Sequence, residues 1–147
     1  MKILVPVDGS KYSMEGLKIA SHFAKAKDAA IYLVNVTSSV ADIDLEISAS
    51  ERDRLLESLK KRGEELLRKA RETMTSLGVT KINTILATAE SPAAEIVALA
   101  EKEKIDLVVI GSKGRSATSR FFLGGVASKV VRYSPCCVYV VKEPCWA

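Results

Sequence analysis

Two short stretches, Lys2–Val7 (KILVPV) and Asp106–Ile110 (DLVVI), are aliphatic at nearly every position. A strand with one wet face alternates apolar and polar residues; an unbroken apolar run belongs to a strand covered on both faces. Such strands sit at the centre of parallel sheets flanked by helices, and the rest of the chain alternates to match. Asp8-Gly9-Ser10 ends the first run, and Ser10 is a natural N-cap. Gly16, Leu17, Ile19, Ala20, Phe23 and Ala24 then form one helical face. A second strand is predicted over Ala30–Thr37, followed by a loop from Ser38 to Ser48. A long helix over Ser50–Leu77 repeats Leu55, Leu59, Leu66, Ala70, Met74 and Leu77, its mixed charges suit a solvated face, and Gly78 suits its C′ position. The third strand is Ile82–Ala87. Ser91-Pro92 opens a helix to Lys104, and the fourth strand follows. Gly111–Gly125 is irregular, with a short helical turn predicted over Ala117–Leu123. A fourth helix over Val126–Tyr133 is stopped by Pro135, and Cys137–Lys142 is the fifth strand. This order predicts an α/β fold built on a mainly parallel sheet, as one domain over residues 1–147.

Composition narrows the class. The chain is 48% apolar and 27% charged, and its 147 residues can bury a core without disulfides or metal. The opening MKILVPVDGS has no apolar run of signal-peptide length, and no stretch approaches a membrane span, so a soluble, cytoplasmic protein with no membrane partner is expected. Cys136, Cys137 and Cys145 match no metal or redox spacing and read as reduced thiols. A net charge of +4 is too small to call for nucleic acid. Its distribution is more telling: no Asp or Glu occurs from Leu107 to Lys142, where Lys113, Arg115, Arg120, Lys129, Arg132 and Lys142 all fall. That segment favours an anionic partner.

Two strand ends lead into phosphate-friendly loops, Val7-Asp8-Gly9-Ser10 and Gly111-Ser112-Lys113-Gly114. In open α/β sheets ligands bind beyond the carboxyl ends of the strands, where connections diverge to opposite faces. If strands one and four are neighbours, these loops form that crevice. The second loop reads Gly111-x-x-Gly114, then nine residues, then Gly124-Gly125. Gly111 and Gly114 make a tight turn or let a ligand approach the backbone. Gly124-Gly125 opens a helix whose first N–H groups lack internal partners and attract anions. Lys113 and Arg115 add charge. The pattern is neither a P-loop nor the dinucleotide fingerprint.

Other residues carry less. Asp8 is either a ligand contact or a cap for the Gly9-Ser10 turn. His22 is the only histidine, lies beside the apolar face of the first helix and reads as a surface residue. Ser10, Ser112 and Ser116 have no neighbouring general base. Glu90 reads as a solvated loop acid. A receiver domain would need an acidic pair after the first strand and an Asp after the third, and VPVDGS and LATAES supply neither.

Val5-Pro6-Val7-Asp8-Gly9-Ser10, Val108 to Arg115 (VVIGSKGR), Phe122 to Ala127 (FLGGVA) and Ser134 to Val141 (SPCCVYVV) together resemble the universal stress protein family. The resemblance spans the chain and implies a three-layer open sandwich: a five-stranded parallel sheet in order 3-2-1-4-5 with helices on both faces. It implies an adenine nucleotide ligand, ATP with Mg2+ or Mn2+ held by the phosphates. Asp8 and the backbone near Pro6 and Val7 would hold the adenosine beside Ser10. Val36 would lie against the adenine. Ile110, Gly111, Ser112, Gly114 and Arg115 would wrap the ribose and inner phosphates. Gly124, Gly125 and Val126 would cap the terminal phosphates. It also implies a homodimer, with edge strand Val138–Val141 and Cys145-Trp146 at the contact. One position departs from the nucleotide-binding pattern: Gly125 stands where that pattern has Ser or Thr. A hydroxyl bond to a phosphate is worth about 1.5–3 kcal/mol, so its loss corresponds to a roughly ten- to hundredfold weaker complex. The expected function is a small dimeric sensor or switch, at most a slow ATPase. The alternative is a nucleotide-free homodimeric interaction module of the same fold.

Overall fold

The computed structural model describes residues 1–39, 47–113 and 123–142. Nine elements alternate along them: β1 (Lys2–Pro6), α1 (Lys11–Lys27), β2 (Ala30–Ser38), α2 (Ala49–Ser76), β3 (Ile82–Ala89), α3 (Pro92–Lys102), β4 (Leu107–Gly111), α4 (Gly125–Tyr133) and β5 (Cys137–Val141). The strands form one parallel sheet in the order β3-β2-β1-β4-β5. The expected fold and strand order are therefore observed.

The unbroken apolar runs have a direct explanation. Successive strand side chains point to opposite faces, and each face has its own core. Ile3, Val5, Ile31, Leu33 and Val109 pack against Leu17 and Ala20 of α1 and Leu67, Ala70 and Met74 of α2. Leu4, Val34, Val108 and Ile110 pack against Ile96 and Leu99 of α3 and Ala127 and Val130 of α4. With both faces dry, Ile3–Val5 of β1 and Leu107–Ile110 of β4 leave no position for a polar residue.

Helix starts follow the residues that cap them. Ser10 Oγ accepts from Ser13 N–H at 3.1 Å. Ser91 Oγ accepts from Ala94 N–H at 3.2 Å, with Pro92 at the first helical position. Ser48, rather than Ser50, caps α2 through a reciprocal box with Glu51, so that helix begins earlier than its apolar period indicated. Most other bounds shift from expectation by one or two residues. β1 ends at Pro6, although Val7 N–H still reaches Val34 O at 2.8 Å. β3 continues to Ala89 because Thr88 and Ala89 pair with Thr37 and Ser38 of β2. α4 begins at Gly125, one residue early. The helical turn expected over Ala117–Leu123, and Cys145 and Trp146, lie wholly or mainly outside the described residues.

α1 approaches the sheet at two glycines. A Cβ on Gly16 would sit 3.7 Å from Val109 and 3.8 Å from Val141, ordinary van der Waals contact. A Cβ on Gly111 would sit 2.8 Å from Tyr12 Cβ and 3.1 Å from the Ser13 backbone nitrogen, which cannot yield without moving the helix. Gly16→Ala is therefore expected to stabilise the protein by about 0.5–1 kcal/mol through helix propensity. Gly111→Ala is expected to destabilise it by about 1–3 kcal/mol through overpacking. Urea midpoints of the two variants should move in opposite directions; shifts of the same sign would refute this account of the contact.

Candidate functional site

β1 is the branch point of the sheet, with β2 on one side and β4 on the other. Chain leaving β1 enters α1 on one face, while chain leaving β4 leads to α4 on the other. The connections part between the two strand ends, and the gap is a cavity of about 430 Å³. That volume falls within the roughly 300–1,000 Å³ of small-molecule sites.

The cavity has two kinds of wall. Val34, Val36, Pro92, Ile96, Ile110 and Ala127 are apolar. Asp8, Ser10, Ser13, Lys113 and the backbone at Gly111, Gly124 and Gly125 are polar. The turn after β1 is held by a compact network. Asp8 Oδ1 accepts from Ser10 N–H at 2.8 Å, and Ser13 Oγ donates to Ser10 O at 3.0 Å. Gly9 has φ +84°, a left-handed conformation that a side chain would strain. Asp8 is thus a cap for its own turn and a cavity residue together, and its exposed carboxylate faces open space.

The loop after β4 is fastened through the backbone of one residue. Ser112 N–H donates to Val141 O at 2.8 Å, and Ser112 O accepts from Gly124 N–H at 2.8 Å. Gly124 is the N-cap of α4 and offers no side-chain cap. The first N–H groups of α4 therefore lack side-chain acceptors at the cavity wall, with the positive end of the helix dipole behind them. A Cβ on Gly125 would meet none of the described residues within 4 Å.

Eleven of the residues singled out from the sequence line this cavity: Pro6, Val7, Asp8, Ser10, Val36, Ile110, Gly111, Lys113, Gly124, Gly125 and Val126. Ser112 does not; it is buried, and its contribution is the backbone N–H and C=O that tie β5 to α4. Gly114 and Arg115 lie outside the described residues. The bare backbone of Gly111 answers to Tyr12 beneath it, a packing demand. His22 and Glu90 are exposed and off the cavity wall.

Sequence reasoning passed over Val34, Ile96, Pro92 and Ala127, which read as ordinary core. It also passed over Asn35, whose signal was present: a polar residue inside AIYLVNV. Asn35 is 8% exposed, and its Nδ2 donates to Val7 O at 2.8 Å. The bond ties β2 to the last turn of chain before Asp8.

The described carboxyls with shifted titration lie elsewhere. A hydrogen bond from Lys81 holds Asp28, at the other end of α1, below the usual carboxylate range, and Arg68 does the same for Glu65 on α2. Among the described residues there is no cluster of His, Cys, Asp and Glu that could hold a metal ion, and no helix long and apolar enough to cross a membrane.

The model of the universal stress protein family matches residues 1–142. The chain belongs to the universal stress protein family. A universal stress protein of Methanocaldococcus jannaschii is 39% identical over 143 residues, covering 97% of this chain and 82% of that protein. Among solved universal stress proteins, UspA from Lactobacillus plantarum has the same fold, with a TM-score of 0.85 at 24% identity and 97% of each chain covered. A universal stress protein solved in complex with cAMP aligns with a TM-score of 0.73 at 25% identity, again over 97% of each chain.

Asn35→Ala is expected to cost about 1–3 kcal/mol, because the Val7 carbonyl would be left buried without a donor. Chemical denaturation checks this; an unchanged midpoint would show that water replaces the amide and that Asn35 does not hold the turn.

Proposed function

We propose that the cavity binds an adenine nucleotide, with ATP as the ligand, and that this universal stress protein acts as a small sensor or switch. The observation that carries this reading is the pairing of an apolar slot with an uncapped helix start in one cavity of about 430 Å³. A purine needs the first and phosphates need the second. The cAMP complex of a relative with this fold supports the class of ligand. In this reading the base lies along Val34, Val36 and Ile96. Asp8 takes the ribose side, and the phosphates meet the N–H groups of Gly124, Gly125 and Val126. A Mg2+ or Mn2+ ion would be shared by the phosphates, since Asp8 is the only carboxylate on the described wall.

Titration calorimetry with ATP, ADP and AMP in the presence of magnesium tests the reading, with micromolar ATP affinity expected. Space at position 125 is open, so Gly125→Ser adds a hydroxyl without a steric penalty and is expected to tighten ATP roughly tenfold or more. Absence of heat with all three nucleotides in both proteins would rule out a nucleotide site.

One observation favours a second reading. Gly125 removes the hydroxyl of the nucleotide-binding pattern, which a nucleotide-free homodimeric module would not require. Binding that appears only in Gly125→Ser would establish that alternative. Both readings include a homodimer through Val138–Val141, because β5 is an edge strand and a parallel sheet leaves its backbone groups on that side unpaired. Sedimentation should give twice 15.9 kDa; a monomer at micromolar concentration would refute it.

Hydrolysis would be slow. Phosphoryl transfer needs a group to orient water, and among the described lining residues Asp8 is the one acidic candidate, with an oxygen already engaged by Ser10 N–H. Phosphate release should remain far below one per second, and Asp8→Asn should abolish what there is. Rapid turnover that survives Asp8→Asn would place the chemistry elsewhere.

A further inference from the structure

Among the described residues, the cavity wall carries one side-chain cation, and its described partner is an aromatic ring. Lys113 lines the wall, and its Nζ lies 6.0 Å from the centroid of Tyr12. No described carboxylate comes within ion-pair distance of it. The base of that side chain is held close to β4, because the Cβ of Tyr12 packs over the bare backbone of Gly111. Lys11 reaches the same ring, its Nζ 5.4 Å from the centroid. Two positive charges thus share one aromatic platform where β4 meets the start of α1.

We infer that Lys113, held in reserve on Tyr12, is the residue by which this cavity distinguishes polyphosphate nucleotides from monophosphates. The inference rests on the nucleotide reading above and adds a specificity determinant to it. Its physical basis is a comparison of two weak holds. A cation over an aromatic face at an exposed site is worth only a few-fold in an equilibrium constant. A charge-assisted bond from an ammonium to a phosphate oxygen is worth roughly ten- to hundredfold. An outer phosphate therefore draws Nζ off the ring, and the four-carbon stem lets it move while the backbone stays in place.

The layout makes the effect depend on phosphate number. The apolar slot and Asp8 take the nucleoside, and the start of α4 takes the first phosphate it can reach. Lys113 approaches from the α1 side of β4, across the strand end from α4. Only a chain of phosphates engages both. A monophosphate is held by the α4 amides, which every variant keeps.

Calorimetry with ATP and AMP on the wild type, Lys113→Gln and Lys113→Arg tests this, with urea midpoints as a check on folding. Lys113→Gln should weaken ATP tenfold or more while AMP changes less than about twofold. Lys113→Arg should restore ATP binding to within a few-fold. Raising the salt concentration should erode the ATP preference of the wild type and not that of Lys113→Gln. Equal losses for ATP and AMP, or no loss for either, would overturn the assignment while leaving the nucleotide site standing. A wild type that binds neither ligand would overturn both.

Discussion

Everything in this molecule follows from the burial of β1 and β4 on both faces. Helices must cover both faces, so the chain crosses from each strand to a parallel one through a helix. Such crossovers are right-handed, so those that run from β1 towards β3 and the one that runs from β4 to β5 lie on opposite faces. The opening between β1 and β4 is thus a consequence of covering the sheet. Side chains then decide what the opening is: aliphatic residues of β2, α3 and α4 on one wall, capped turns and bare amides on the other.

Much of this architecture was legible in the sequence because it rests on local signals. The runs KILVPV and DLVVI, the caps at Ser10 and Ser91 and the glycines at 124 and 125 each have one physical meaning in their setting. Where reading and structure part, a non-local contact is the reason. Thr88 is polar, and nothing nearby calls it a strand residue; it belongs to β3 because Thr37 of β2 offers a partner. Gly111 sits in a loop that looks built for a ligand, yet the atom that forbids a side chain there belongs to Tyr12, ninety-nine positions earlier. Asn35 was visible as an anomaly, but its purpose required knowing that the carbonyl of Val7 ends beside it.

The wall residues missed from sequence share a different cause. Val34, Ile96 and Ala127 belong to the core beneath α3 and α4 and also line the cavity. An apolar residue gives no sign of whether its neighbour is another side chain or a space. Polar sites announce themselves, whereas apolar slots are recognised only when the packing around them is seen to stop. The glycine and aspartate positions carried signals of their own, whereas Val36 and Ile110 of the apolar wall were named only through the family resemblance.

The backbone of Ser112 has a mechanical consequence. Its N–H is tethered to the end of β5 and its C=O to the cap of α4, in two adjoining rigid peptide planes that pivot on the Ser112 α-carbon. Ser112 is buried, so that pivot has little room to turn. The outermost strand and the tip of the last helix are therefore hitched to one residue, like two levers on a common hinge pin, and neither can swing far without the other registering the movement.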